Sequence, residues 1–209
     1  ANTTGAGNTA VGKNALTTNT TAENNTAVGM DAMYANTTGA DNVAVGHGAM
    51  YANTTGTRNI AIGHDAYDHS DTENDNLAIG YQAMTVNTAG GIQNIAIGNY
   101  ALDGLTSGDS NVAIGYSAMS ATVTGGQNTA VGNSAMEVLT TGATNTAVGY
   151  VSLDALTTGS NNTAVGWSSL GATTTANDNT AVGKNSMLIN TEGYSNTAIG
   201  IYSLRQNTT

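Results

Sequence analysis

Seven polar residues crowd together at Asp65, Asp68, His69, Ser70, Asp71, Glu73 and Asp75. Clustered carboxylates can hold Ca²⁺ through their oxygens, which makes Asp71, Glu73 and Asp75 candidate calcium ligands. His69 beside Ser70 has the elements of a base and a nucleophile. The ligand spacing of a calcium loop is absent, however, as is the glycine-rich calcium nonapeptide. A catalytic site also needs several different groups converging on one place. The expectation is a solvated acidic turn, with no catalytic residue, no cofactor and no enzymatic activity. His47 and His64 are a second pair of interest. They lie seventeen residues apart, and imidazoles brought together suit a transition metal. A third set, Tyr81, Tyr116, Tyr150 and Trp167, interleaves with Asn99 and Asn133. Aromatics alternating with amides along one edge could stack on sugar rings and hydrogen-bond their hydroxyls. The plainer alternative is rings that cover a turn or pack between chains.

What positions these residues is a repeat. The motif Asn-x-Ala-(Val/Ile)-Gly begins at Asn8, Asn25, Asn42, Asn59, Asn76, Asn94, Asn111, Asn128, Asn145, Asn162, Asn179 and Asn196, in steps of seventeen with one step of eighteen between Asn76 and Asn94. The extra residue is read into the stretch Gly90-Gly91-Ile92-Gln93, where a turn absorbs it. The unit is Asn-Thr-Ala-Val-Gly-x-x-Ala-Leu-x-x-Asn-Thr-Thr-Gly-x-x, and residues 1–209 form a single array. A period of seventeen fits neither heptads nor helix-pair repeats.

Asn-Thr-Ala-Val alternates and carries β-branched residues, which favour strands. Counting the Asn as column one, the fourth column is always Val or Ile and is expected to contribute to the core. The third column, always Ala, reads as a spacing device that lets another backbone or a neighbouring chain approach. The Gly in column five implies a positive φ or a contact too tight for a Cβ. Column nine is Leu or Met, with Tyr67 once, a second buried column. The Asn-Thr-Thr stretch is expected to form a second strand or extended edge before a second turn. Each unit is then one coil, and coils stacked ~4.8 Å apart pair their strands in parallel. The fold class is all-β: a parallel β-roll or β-solenoid of twelve coils, with the Asn column sharing amide hydrogen bonds up the stack.

Composition narrows the function. With Lys13, Arg58, Lys184 and Arg205 as the only basic residues and a net charge of −10, the chain has nothing to neutralise a run of phosphates, so no nucleic-acid partner is expected. No apolar run is long enough to span a membrane. The absence of Cys removes disulfides and thiolate metal sites. The array opens at Asn2-Thr3-Thr4 and closes at Asn207-Thr208-Thr209, the same point of the unit, and reads as a segment of a longer fibre. Sequons such as Asn19-Thr20-Thr21 arise from the repeat itself and say little about glycosylation.

Asn-Thr-Ala-Val-Gly and Asn-Ile-Ala-Ile-Gly followed by x-x-Ala resemble the head repeats of trimeric autotransporter adhesins, the YadA-like head family, and are similar to repeats in phage tail fibres. The resemblance covers the whole chain. It implies a left-handed roll, a homotrimer around one axis, and exposure at a bacterial cell surface or virion, with a host-surface glycan or protein as target. The unit departs from the family in being a few residues longer, in the Asn-Thr-Thr-Gly arm. The expected function is thus an adhesive or structural rod segment of an extracellular fibre. The alternatives are a self-assembling extracellular filament without a receptor and an ice-binding solenoid; the latter is disfavoured because adjacent Thr-Thr side chains point apart in an extended chain.

Overall fold

The computed structural model describes residues 4–87 and 90–207. Each Asn-x-Ala-(Val/Ile)-Gly motif folds as a strand of three residues. In chain order these are β1 (Thr9–Val11), β2 (Thr26–Val28), β3 (Val43–Val45), β4 (Ile60–Ile62), β5 (Leu77–Ile79), β6 (Ile95–Ile97), β7 (Val112–Ile114), β8 (Thr129–Val131), β9 (Thr146–Val148), β10 (Thr163–Val165) and β11 (Thr180–Val182), followed by the short β12 (Ile189–Asn190), β13 (Thr197–Ile199) and the short β14 (Gln206–Asn207). The strands β1 to β11 and β13 pair in sequence order into one twelve-stranded sheet. Every pairing in it is parallel and in register, Ala on Ala throughout. The chain is therefore a β-solenoid with one coil per repeat, as the period implies.

The alternation Thr-Ala-Val assigns two faces, and the sheet turns the small one inward. From the coil of Ala27 to that of Ala181 the third column is buried, together with the Ala or Ser of column eight and the Leu, Met or Tyr of column nine. The interior has room for only one or two large side chains per coil, Leu102 with Leu105 for example, and the strand presents Ala to it. Val and Ile of column four, expected in the core, instead lie on the outer face, where Val45, Ile62, Ile114 and Val148 remain more than a third exposed. The constancy of the Ala column thus reflects a narrow interior within one chain.

The second expectation to be corrected concerns the Asn-Thr-Thr arm. Apart from the pair β12–β14 and an isolated bridge between Leu105 and Val123, it forms bends rather than strands. The amides of Thr37, Thr38 and Gly39 all point at the single carbonyl of Thr54, at 3.0, 3.1 and 3.3 Å. Three donors converging on one acceptor curve the backbone and cannot build a ladder, which offers one donor per acceptor.

Polar order in the interior comes from two Asn columns. The Oδ1 of each first-column Asn accepts the backbone N–H of the next one, as from Asn128 to Asn111 at 2.9 Å, while the Nδ2 of Asn111 crosses its own coil to the carbonyl of Gly125 at 3.0 Å. The amide ladder is thus chiefly side chain to backbone; direct Nδ2 to Oδ1 bonds are added in coils such as that of Asn145. The second column, at Asn19, Asn36 and Asn190, ties each arm to a carbonyl three residues on. At Asn87 that bond reaches four residues, to Gly91. The extra residue of this coil therefore lies between Asn87 and Gly91, and residues 88 and 89 fall outside the described ones.

The turns are held in a conformation that L-residues resist. Columns seven, nine and seventeen carry left-handed φ, including Met33 at 48°, Tyr67 at 55° and the β-branched Val151 at 45°, where each costs roughly 1–2 kcal/mol. Column-nine amides are nonetheless satisfied by the neighbouring coil, Met33 to Ala49 at 3.0 Å. The column-five glycines take φ from 121° to 142°, and a Cβ at Gly132 would overlap the carbonyl of Gly149. Both reasons for glycine hold at once.

Replacing Asn111 by Ala orphans the amide of Asn128 and the carbonyl of Gly125, both inside the stack. Each unsatisfied buried group costs about 1–3 kcal/mol. Denaturant unfolding of Asn111→Ala should therefore show a loss of at least about 2 kcal/mol, and a variant as stable as the parent would contradict the ladder's role.

Candidate functional site

The chemistry-bearing residues gather on the outer turn that follows strands β3, β4 and β5, where column six leaves the sheet. His47 and His64 follow Gly46 and Gly63, so the one-coil step stacks their rings with centroids 4.7 Å apart and 24° between planes. Asp65 lies between them: its Oδ2 is 3.0 Å from Nδ1 of His64, and its Oδ1 is 3.7 Å from Nδ1 of His47. Gly48 makes the space. It stands in column seven, between Asp31 and Asp65 in the stack, with φ of 64°, and a Cβ on it would overlap Asp65 Oδ1. The missing side chain opens a cavity of about 340 Å³, lined by Asp31, His47, Tyr51, Asp65, Asp68 and His69 among others. Half-burial pushes the Asp68 carboxyl above its ordinary range, against the opposing pull of His69, whose Nδ1 is 3.4 Å from Asp68 Oδ2.

Among the described residues, Asp71, Glu73 and Asp75 do not converge into a group of three with ligand atoms in mutual reach. Asp75 is held bidentately by Arg58, at 2.6 and 2.9 Å. Its carboxyl lies below the usual range chiefly because of that hydrogen bond. Glu73 is buried and accepts the backbone N–H groups of Asp71 and Thr72 at 3.2 and 3.1 Å, so it organises its own turn. Asp71 is exposed and contributes its carbonyl to the amides of Thr54, Thr55 and Gly56. Ser70 is buried while His69 is exposed, which separates the apparent nucleophile from its base. Among the described residues, His47, His64 and Asp65 are the one group of three whose ligand atoms all lie within 4.8 Å. The sequence pointed to both histidines as a pair and to Asp65 only as part of the acidic segment; the signal that joins it to them is Gly48 beside it in the stack.

The aromatic residues continue the same stripe. Tyr81 stacks on His64 at 5.4 Å, Tyr100 meets Tyr81 edge-on at 5.4 Å, and Tyr116 meets Tyr100 at 5.7 Å. Tyr100 belongs to column seven and was not among the sequence candidates. It enters the stripe because Asn99, in column six, turns back to accept the N–H of Tyr81 at 3.0 Å. Tyr150 stands apart and is 55% exposed, and Trp167 lies under Lys184 Nζ, 4.2 Å from its ring. Of the four residues read as a sugar-binding stripe, two are thus joined through Tyr100 and two are separate. A second ladder, Tyr34 on Tyr51 at 5.1 Å, rises beside the cavity.

Tyr67 fills column nine of the fourth coil, where Ser70 replaces the second Asn. Its hydroxyl takes the amides of Asn76 at 2.7 Å and Asn87 at 3.4 Å, and burial raises its pKa well above the usual phenol range. Asp103 is half-buried, burial raises its carboxyl above the ordinary range, and its Oδ1 has no hydrogen-bond partner.

A raised carboxyl pKa in the fold means that charging it opposes folding. The sign is that stability falls as pH rises from the ordinary value of about 3.9 through the folded value. Asp103→Asn should accordingly stabilise the chain in urea at pH 7, and the gain should disappear at pH 3. A gain of equal size at both pH values would remove charge as the cause. No protein family, curated protein or solved structure matches the chain.

Proposed function

We propose that this chain is a rod segment of an extracellular attachment fibre, in which three copies associate side by side, and that it is not an enzyme. The observation that carries the reading is the outer face of the sheet. In β3 to β7, columns two and four are both aliphatic: Val43, Val45, Ile60, Ile62, Leu77, Ile79, Ile95, Ile97, Val112 and Ile114. All ten are half-buried or exposed in the single chain, Ile60 and Ile62 at 39% each. A straight, contiguous apolar strip of this kind is rare on a monomeric soluble protein and marks an association surface. A parallel sheet left bare on one face is equally unusual.

A second copy is the partner that fits, because a repeating strip meets an identical strip in register along its whole length. Three copies follow from the resemblance of the Asn-Thr-Ala-Val-Gly repeats to trimeric adhesin heads. The ice-binding alternative is weakened on the same face. Its Thr column, present at Thr9, Thr26 and Thr129 to Thr197, is interrupted by the five aliphatic residues of β3 to β7, which breaks a regular hydroxyl array.

Light scattering of the chain should give three times the 20.9 kDa chain mass. Ile62→Asp with Ile97→Asp should give a single-chain mass with the β signal of circular dichroism retained, since neither side chain contributes to the coil interior. A folded wild-type monomer would overturn lateral association, and open-ended polymers would favour the receptor-free filament. Tyr150→Ala with Trp167→Ala, in a trimer that remains folded, should reduce retention on a glycan array several-fold; unchanged retention would remove these two rings from the attachment surface.

A further inference from the structure

We propose that His47, His64 and Asp65 form a binding site for one divalent transition-metal ion per chain, of the zinc class. Only one of the two imidazoles pairs directly with Asp65, His64 Nδ1 lying 3.0 Å from Oδ2. At 3.7 Å, His47 Nδ1 is too far from Asp65 for a hydrogen bond, although its ring is stacked at 4.7 Å on that of His64. A tetrahedral ion with bonds of roughly 2.0–2.1 Å holds its ligands roughly 3.3 Å apart. The two imidazoles approach different oxygens of the carboxylate, His64 Nδ1 at 3.0 Å from Oδ2 and His47 Nδ1 at 3.7 Å from Oδ1, one on either side of that spacing. Two neutral imidazoles and one carboxylate suit zinc, cobalt or nickel better than calcium, which prefers oxygen ligands.

A dication placed here would meet two imidazole nitrogens and one carboxylate oxygen, all within 4.8 Å of one another. The cavity opened by Gly48 adjoins the cluster and brings Asp68 and His69 to its wall, leaving room for water or a further ligand to complete the coordination. The two histidines come from successive coils, so the ion would bridge the third and fourth units of the stack. The site lies within one chain and does not depend on the number of chains that associate.

Isothermal titration of the full, tag-free chain with Zn²⁺ is the test. One ion per chain is expected, with affinity weakened at least about tenfold in His47→Ala, His64→Ala and Asp65→Asn. All three substitutions are at the outer turn, and circular dichroism of each variant should match the parent. Bound zinc should also raise the thermal midpoint of the parent but not of the His47→Ala/His64→Ala double variant. No binding at millimolar Zn²⁺, undiminished binding by the double variant, or one ion per three chains would each overturn the proposal.

Discussion

Each coil of this protein leaves its polar groups to be satisfied by the coils on either side of it. The backbone N–H of Asn128 is taken by the side chain of Asn111, that of Met33 by the carbonyl of Ala49, and that of Gly149 by the carbonyl of Val131. This constraint fixes the seventeen-residue period, because any other number would carry the donors past their acceptors. Where one residue is added, between Asn87 and Gly91, the bond lengthens its sequence span from three to four and the next strand pair, Leu77 with Ile95, returns to register. A surplus is tolerated only where the backbone makes no ladder. The same dependence explains why three left-handed residues per coil are sustained: the neighbours on either side hold them, and a lone coil would have nothing to offset them.

Much of this was legible in the sequence, and what was not has an identifiable cause. Periodicity and the strand motif were visible because each is a property of spacing. Alternation divides Thr-Ala-Val into two faces but does not say which faces inward; hydrophobicity argued for Val and Ile, and interior width decided for Ala. The width follows from Asn111 reaching across its coil to Gly125, a contact between positions fourteen residues apart that no local pattern announces. The Asn-Thr-Thr arm, expected as a second strand or extended edge, forms bends for a related reason. Its amides converge on one carbonyl of the following coil, an arrangement that depends on where that coil sits.

The candidate sites divide the same way. His47 and His64 were predictable as neighbours, since equal columns stack. Their relation to Asp65 needed the third dimension: a carboxylate in column seven swings over Gly48 because the coil before it lacks a side chain there. Tyr100 shows the converse. It stands outside the aromatic column, yet it completes the ring stripe because Asn99 is drawn back into a hydrogen bond with Tyr81. In a stacked array, the identity of a residue's neighbours one coil away determines its environment more than its neighbours in sequence do.

That rule also accounts for where the array departs from itself. The fourth coil loses the second Asn to Ser70, and the compensations lie close by. Tyr67 enlarges into the interior and its hydroxyl accepts the amides of Asn76 and Asn87. Glu73, in the position of the turn glycine, folds its carboxylate onto the amides of Asp71 and Thr72. The repair is partial, because Asn53 Oδ1 and Ser70 Oγ stay buried without a hydrogen-bond partner, and it is on the outward side of this same coil that His64, Asp65, Asp68 and His69 accumulate. An array of like units gains a distinct chemical site only where a coil is altered, and the fold can bear such an alteration when the coils above and below still present their acceptors in register.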